Sequence, residues 1–186
     1  LIFLANILLV TFFSNAVNLT DGKDGLAAGC TIFCVLSFAA VAYVHGHTVF
    51  AKYLSVPYIP ELGEISVFAS AMAGACIGFL WYNCKPAAVF MGDTGSLPLG
   101  GSIGLIAVLM GQQFLLIVIG FVFLMEGVSV MIQVASFRLT GRRVFLCTPI
   151  HHHFEQKGWS ETQIVIRFWI IAGICALIGL ATLKLR

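Results

Sequence analysis

Residues 26–44, LAAGCTIFCVLSFAAVAYV, run nineteen residues without a charge. As a helix rising 1.5 Å per residue, that run covers about 28 Å, close to the roughly 30 Å hydrocarbon thickness of a bilayer. Further apolar runs lie on either side, at 1–16, 65–82, 97–110, 114–137 and 164–183, which makes six expected spans. The fourth is short and carries Gly100, Gly101 and Gly104, a pattern that suits tilting or close packing through small residues. Composition agrees: 60% of the 186 residues are hydrophobic and 10% charged, with mean hydropathy +1.01, whereas about a quarter of a soluble domain is charged. The expected fold is all-α, a polytopic membrane helical bundle of about six transmembrane helices forming one domain over residues 1–186.

Six spans alternate the loops between two faces. The first face receives Asn18, Asp21, Lys23 and Asp24, then Lys85 and Asp93, then the basic and histidine-rich stretch from Arg138 to Arg167. The second receives His45, His47, Lys52, Glu61, Glu64, Lys184 and Arg186. Lys and Arg divide seven to three, so the positive-inside rule puts the motif-bearing face in the cytoplasm. A net charge of +2 is too small a bias to argue for nucleic acid. Cys30, Cys34, Cys76 and Cys175 lie inside apolar runs with no CxxC pair, and read as packing residues. On the second face, Pro57 and Pro60 among aromatic residues suit an interfacial hairpin or short helix over 45–64. The chain opens at Leu1 inside an apolar run with no charged leader, which predicts a piece of a longer chain whose missing N-terminal helices share its site.

Three polar motifs fall on the first face. In NAVNLTDGKDGLAAG (15–29), Asn18, Asp21 and Asp24 recur every third residue, which in helical geometry aims an amide and two carboxylates one way at a span's end. Ionisable groups there need a cation, a donor or a substrate to offset lost water; capping of the second span by Asp24 is the plainer alternative. In AAVFMGDTGSLPLGG (87–101), Asp93 stands between glycines at a helix start, with Thr94 and Ser96 nearby. That arrangement suits phosphate oxygens and Mg²⁺, which takes one or two carboxylates plus phosphate oxygens, although Thr94 or Ser96 could simply cap the helix. In GRRVFLCTPIHHHFEQKGW (141–159), His151, His152 and His153 cannot all face one point from a regular helix, so an irregular loop is expected. Zinc spacing is lacking; phosphate or substrate positioning beside Arg142, Arg143 and Lys157 fits better.

Glu126, Ser129, Gln133 and Ser136 line one face of the fifth span, suited equally to interhelical hydrogen bonds and to ligand contact. Asn83 and Phe90 are candidates to hold a planar heterocycle, the amide by hydrogen bonds and the ring by stacking; membrane-interface packing competes for Phe90.

In that order, NLTDGKDGLA, VFMGDTGSLPLGG and PIHHHFEQKGW resemble the phospho-N-acetylmuramoyl-pentapeptide transferase family, polyprenyl-phosphate sugar-phosphate transferases of the bacterial inner membrane. The resemblance runs along the whole chain and corresponds to the C-terminal half of a protein with about ten spans. It implies transfer of phospho-MurNAc-pentapeptide from UDP-MurNAc-pentapeptide to undecaprenyl phosphate at the cytoplasmic face, giving lipid I and UMP with Mg²⁺; a homodimer is compatible with it. Carried over by residue, Asp93 is the Mg²⁺ ligand and a catalytic residue, and Asp21 and Asp24 line the catalytic and nucleotide pocket, with Asn18 on the same substrate side. His152 and His153, with His151, contact the substrate or its phosphates, Phe90 stacks on uracil, and Asn83 and Gln133 are polar contacts. Lys23 stands where the family pattern has an apolar residue, most often leucine. Transfer of N-acetylglucosamine phosphate to a polyprenyl phosphate is the neighbouring alternative. Cation or proton transport is the alternative from another class, disfavoured because only Glu126 lies deep in a span.

Overall fold

A computed structural model describes residues 1–184; Leu185 and Arg186, the latter one of the second-face cations counted above, lie outside the described residues. The helices are α1 (Ile2–Thr20), α2 (Leu26–Gly46), α3 (Thr48–Leu54), α4 (Leu62–Asn83), α5 (Asp93–Leu109), α6 (Gln113–Ile119), α7 (Phe121–Thr140), α8 (Ile150–Gln156) and α9 (Glu161–Ala181). Among the described residues five helical segments, α1, α2, α4, α7 and α9 with its 3₁₀ extension, are long and apolar enough to cross a membrane, and α5, expected as the short fourth span, is a shorter apolar helix of 17 residues. The chain is a multi-pass, all-helical membrane protein.

The centre is α2, whose Leu26, Cys30, Cys34, Val35, Phe38 and Val41 are sealed by the helices around it. It packs closely because glycine lets a neighbour in. A Cβ at Gly29 would stand 2.0 Å from the indole nitrogen of Trp169, and that nitrogen donates to the Gly25 carbonyl at 3.2 Å. The glycine stripe of α5 works likewise against α1: a Cβ at Gly100 would lie 2.3 Å from the Phe13 carbonyl oxygen, and one at Gly104 2.9 Å from Val10 Cα. Small residues thus bring two backbones into contact, as the sequence predicts. Ser14 fastens the same seam by donating to the Leu97 carbonyl at 2.9 Å.

Three local expectations change. The fifth span is divided at Gly120 into α6 and α7, where the Phe13 ring packs so closely that a Cβ would come within 2.7 Å of it. The first motif does not stay helical through Asp24: α1 ends at Thr20, Asp21 is its C-cap, and the chain then turns. The histidines stand not on an irregular loop but on α8, which begins directly after Pro149. A short helix still fans consecutive side chains about 100° apart, so the three imidazoles point three ways. On the opposite face, α3 fills the expected short interfacial helix.

Candidate functional site

One end of the bundle gathers the C-termini of α1, α4 and α7, the N-termini of α2, α5 and α9, and all of α8. Side chains tie these ends together across large sequence separations. Asn18, in the last turn of α1, donates through Nδ2 to Asp93 Oδ1 at 2.8 Å and to Ser96 Oγ at 2.9 Å. The first and second motifs therefore meet. Asp93 is the first residue of α5, after Gly92 at φ 62°, a left-handed conformation that glycine adopts freely. The helix has no side-chain cap; Ser96 instead donates back to the Gly92 carbonyl at 3.0 Å.

Asp21 faces the same place. Burial pushes its carboxyl up to about 6, opposed by the Gly92 backbone N–H and reinforced by the negative charge of Asp93. Two carboxylates under mutual repulsion favour a cation, and the N–H groups at the helix start suit phosphate oxygens. Among the described residues no three His, Cys, Asp or Glu side chains form a metal cage by themselves. That donor set fits an ion which completes its shell with phosphate oxygens and water.

Asp24 points elsewhere. Its Oδ2 accepts from the Ala87 N–H at 3.1 Å, and its own N–H donates to Glu161 Oε1 at 3.3 Å; Gly25, in the left-handed region at φ 77°, is the N-cap of α2. Asn83 is buried and uses both ends of its amide, accepting from Gly25 N–H at 3.0 Å and donating to the Val89 carbonyl at 2.8 Å. Lys85 pairs with Glu161. A cleft of about 230 Å³ lined by Asp24, Lys85, Glu161 and Trp169 opens beside this knot. Phe90, 74% exposed, stands free on the surface.

The three histidines divide. His151 is fully buried, its Nδ1 donating to Oε2 of equally buried Glu126 at 3.1 Å; its Nε2 and the other Glu126 oxygen have no hydrogen-bond partner among the described residues. Gly22 lies directly over that Nε2, where a Cβ would come within 2.6 Å. His152, its ring centroid 4.2 Å from that of His151, donates through Nδ1 to Glu155 Oε2 at 2.9 Å. His153 Nδ1 instead accepts from the Leu146 N–H at 3.1 Å. In the neutral rings, His152 then presents an acceptor Nε2 and His153 a donor Nε2–H, neighbouring groups of opposite polarity.

Gln133 and Ser136, from the polar stripe of α7, organise the chain leading to α8. Gln133 Oε1 accepts from Val144 and Phe145 N–H, each at 2.9 Å, its Nε2 donates to the Phe145 carbonyl at 2.9 Å, and Ser136 donates to the Arg142 carbonyl at 3.0 Å. The stripe thus splits by depth: the buried end holds a histidine and the outer end holds a loop. The structure brings Asn18, Asp21, Asp93 and the histidine helix to one end of the bundle, with Asp24 and Asn83 in the adjoining knot. Sequence reasoning missed Glu155 and Glu161. Glu161 stands in the capping box that Ser160 and Gln163 form at the start of α9, a signal readable as S-x-x-Q.

This helical membrane scaffold with an acid-rich helix start has a family. The chain belongs to glycosyl transferase family 4, whose sequence profile matches residues 1–111. Among curated proteins it is 55% identical over 180 residues to the phospho-N-acetylmuramoyl-pentapeptide-transferase of Methylacidiphilum infernorum, covering 97% of this chain and 49% of that one. Enzymes of the same name from Pelagibacter ubique (56%, covering 97% of this chain and 50% of that one) and Rhodopseudomonas palustris (58%, 96% and 49%) are as similar. The chain spans about half the length of these relatives.

Proposed function

We propose that this chain is the C-terminal part of a protein of about ten spans, one transmembrane domain, that moves phospho-MurNAc-pentapeptide from UDP-MurNAc-pentapeptide to undecaprenyl phosphate. The observation carrying the proposal is the junction of Asn18, Asp93 and Asp21 at the end of the bundle where the histidine helix also sits. Similarity to transferases of that name supports the choice of substrate. The motif-bearing end faces the cytoplasm of a bacterial inner membrane, supported by the excess of Lys and Arg on that face.

An oxygen of the lipid phosphate attacks the sugar-bound phosphorus, and the bond to the uridylate oxygen breaks, giving lipid I and UMP in a single displacement. Such a reaction collects negative charge on several oxygens, so positioning and charge stabilisation supply most of the catalysis. Asp93, with Asp21 beside it, would hold Mg²⁺, which supplies Lewis-acid stabilisation of the phosphate oxygens. Asn18 orients the Asp93 carboxylate. His153 donates its Nε2–H to the sugar-bound phosphate, and His152 beside it contacts the substrate. Asp24 and the amide of Asn83 shape the nucleotide side, Phe90 covers the uracil, and Gln133 positions the loop before α8.

The full-length membrane protein carrying this chain, reconstituted with undecaprenyl phosphate and Mg²⁺, should release UMP from UDP-MurNAc-pentapeptide and little from UDP-N-acetylglucosamine. Asp93→Asn should lower that rate by at least about a hundredfold. Turnover of UDP-N-acetylglucosamine alone would move the assignment to the neighbouring transferase, and ion flux without UMP release would move it to transport. Residues 1–186 alone should be inactive, because the chain spans about half the length of its relatives.

A further inference from the structure

Lys23 belongs to none of the roles above, yet it makes the shortest bridge between the turn after α1 and the histidine helix. Its Nζ lies 2.6 Å from Glu155 Oε1, while the other oxygen of that carboxylate takes the Nδ1 proton of His152 at 2.9 Å. A lysine in a polar turn normally extends into water, but this side chain is only 12% exposed, laid across the gap between two elements 132 residues apart. Glu155 is held well below the usual carboxylate range, at about 2, first by the Lys23 hydrogen bond and then by that of His152. One carboxylate therefore serves two donors, one from each element.

We propose that Lys23 is a positioning residue: through Glu155 it clamps the turn carrying Asp21 and Asp24 to α8 and fixes the ring of His152 relative to that turn. The inference rests on the transferase reading, in which the turn meets the nucleotide and α8 meets the sugar-bound phosphate. A ligand that spans both elements needs their spacing fixed; one that touches only the nucleotide side does not. The clamp should thus be felt by the nucleotide sugar and hardly by UMP.

The test uses the full-length protein. Lys23→Met should weaken binding of UDP-MurNAc-pentapeptide by about tenfold while leaving UMP affinity within about twofold, and Lys23→Arg should restore the former. Glu155→Gln should act alike, and the double variant should be no worse than either single one. The clamp is overturned if both ligands weaken equally, if neither changes, or if the two substitutions simply add. Should Lys23→Met fail to fold, Glu155→Gln and Lys23→Arg carry the same comparison. A wild-type protein that releases no UMP overturns the transferase reading instead, whereas wild-type turnover with an unaltered Lys23→Met variant overturns the clamp alone.

Discussion

Two neighbouring histidines of α8 each meet a glutamate, His151 reaching across to Glu126 of α7 and His152 staying within α8 at Glu155, and the two pairs differ sharply in burial. In each, a histidine Nδ1 meets a glutamate oxygen, at 3.1 Å for His151 with Glu126 and 2.9 Å for His152 with Glu155. The first pair is fully buried on both sides; in the second, the side chains are 36% and 44% exposed. Breaking a buried pair strands its partner in a low dielectric, whereas an exposed pair trades its partner for solvent. The inner pair therefore anchors α8 to the bundle, and the outer pair adjusts what α8 presents.

That contrast is sharpest on removal of one partner. Glu126→Ala should destabilise the protein by about 3 kcal/mol in thermal unfolding in micelles, and Glu155→Ala by less than about 1. Equal losses would erase the distinction. Next in size is Gly22→Ala, whose methyl group would press on His151 Nε2; it should cost about 1–3 kcal/mol, relieved when combined with His151→Ala.

Acid should separate the exposed Glu155 from the half-buried Asp21. Glu155 has a folded value near 2 against 4.5 unfolded, so its contribution is present above pH 4.5 and is lost as pH falls from 4.5 towards 2; Glu155→Gln should abolish that part of the profile. Asp21 runs the other way. Its folded value near 6 lies above 3.8, so stability rises as pH falls from 6 to 3.8, and Asp21→Asn should flatten that window. Infrared titration of the metal-free protein should find the Asp21 carboxyl changing near pH 6, with Mg²⁺ moving the midpoint down; an unmoved midpoint would argue against the proposed cation site. Raising salt should give the smallest effect, weakening the Lys23 and Glu155 contribution by a few tenths of a kcal/mol and leaving the Glu126 pair unchanged.

The spans were legible because a bilayer imposes length and apolarity on every helix, and residues 26–44 could hardly be anything else. The alternation of loops between faces was legible for the same reason, and Asn18 with Asp93 follows from it once the ends meet. The break at Gly120 was hidden, since a lone glycine inside an apolar run gives no boundary signal and its close neighbour, the Phe13 ring, lies more than a hundred residues earlier. The helical state of the histidine run was hidden too: seven residues give no periodicity to read, and the determinants are Pro149 before it and Gln133 holding the preceding loop. Asp24 misled because its spacing continues a pattern that the turn at Asp21 interrupts. Glu126 could be seen as part of a polar stripe, but not that it alone of the four would meet an imidazole.

The 17 residues of α5 have a mechanical side. Laid straight, they reach about 25 Å, several ångströms short of a typical hydrocarbon layer. Either the leaflet dimples around this helix or its ends sink below the plane of their neighbours. A shortfall taken at its N-terminal end would draw Asp93, the first residue, below the plane of the headgroups.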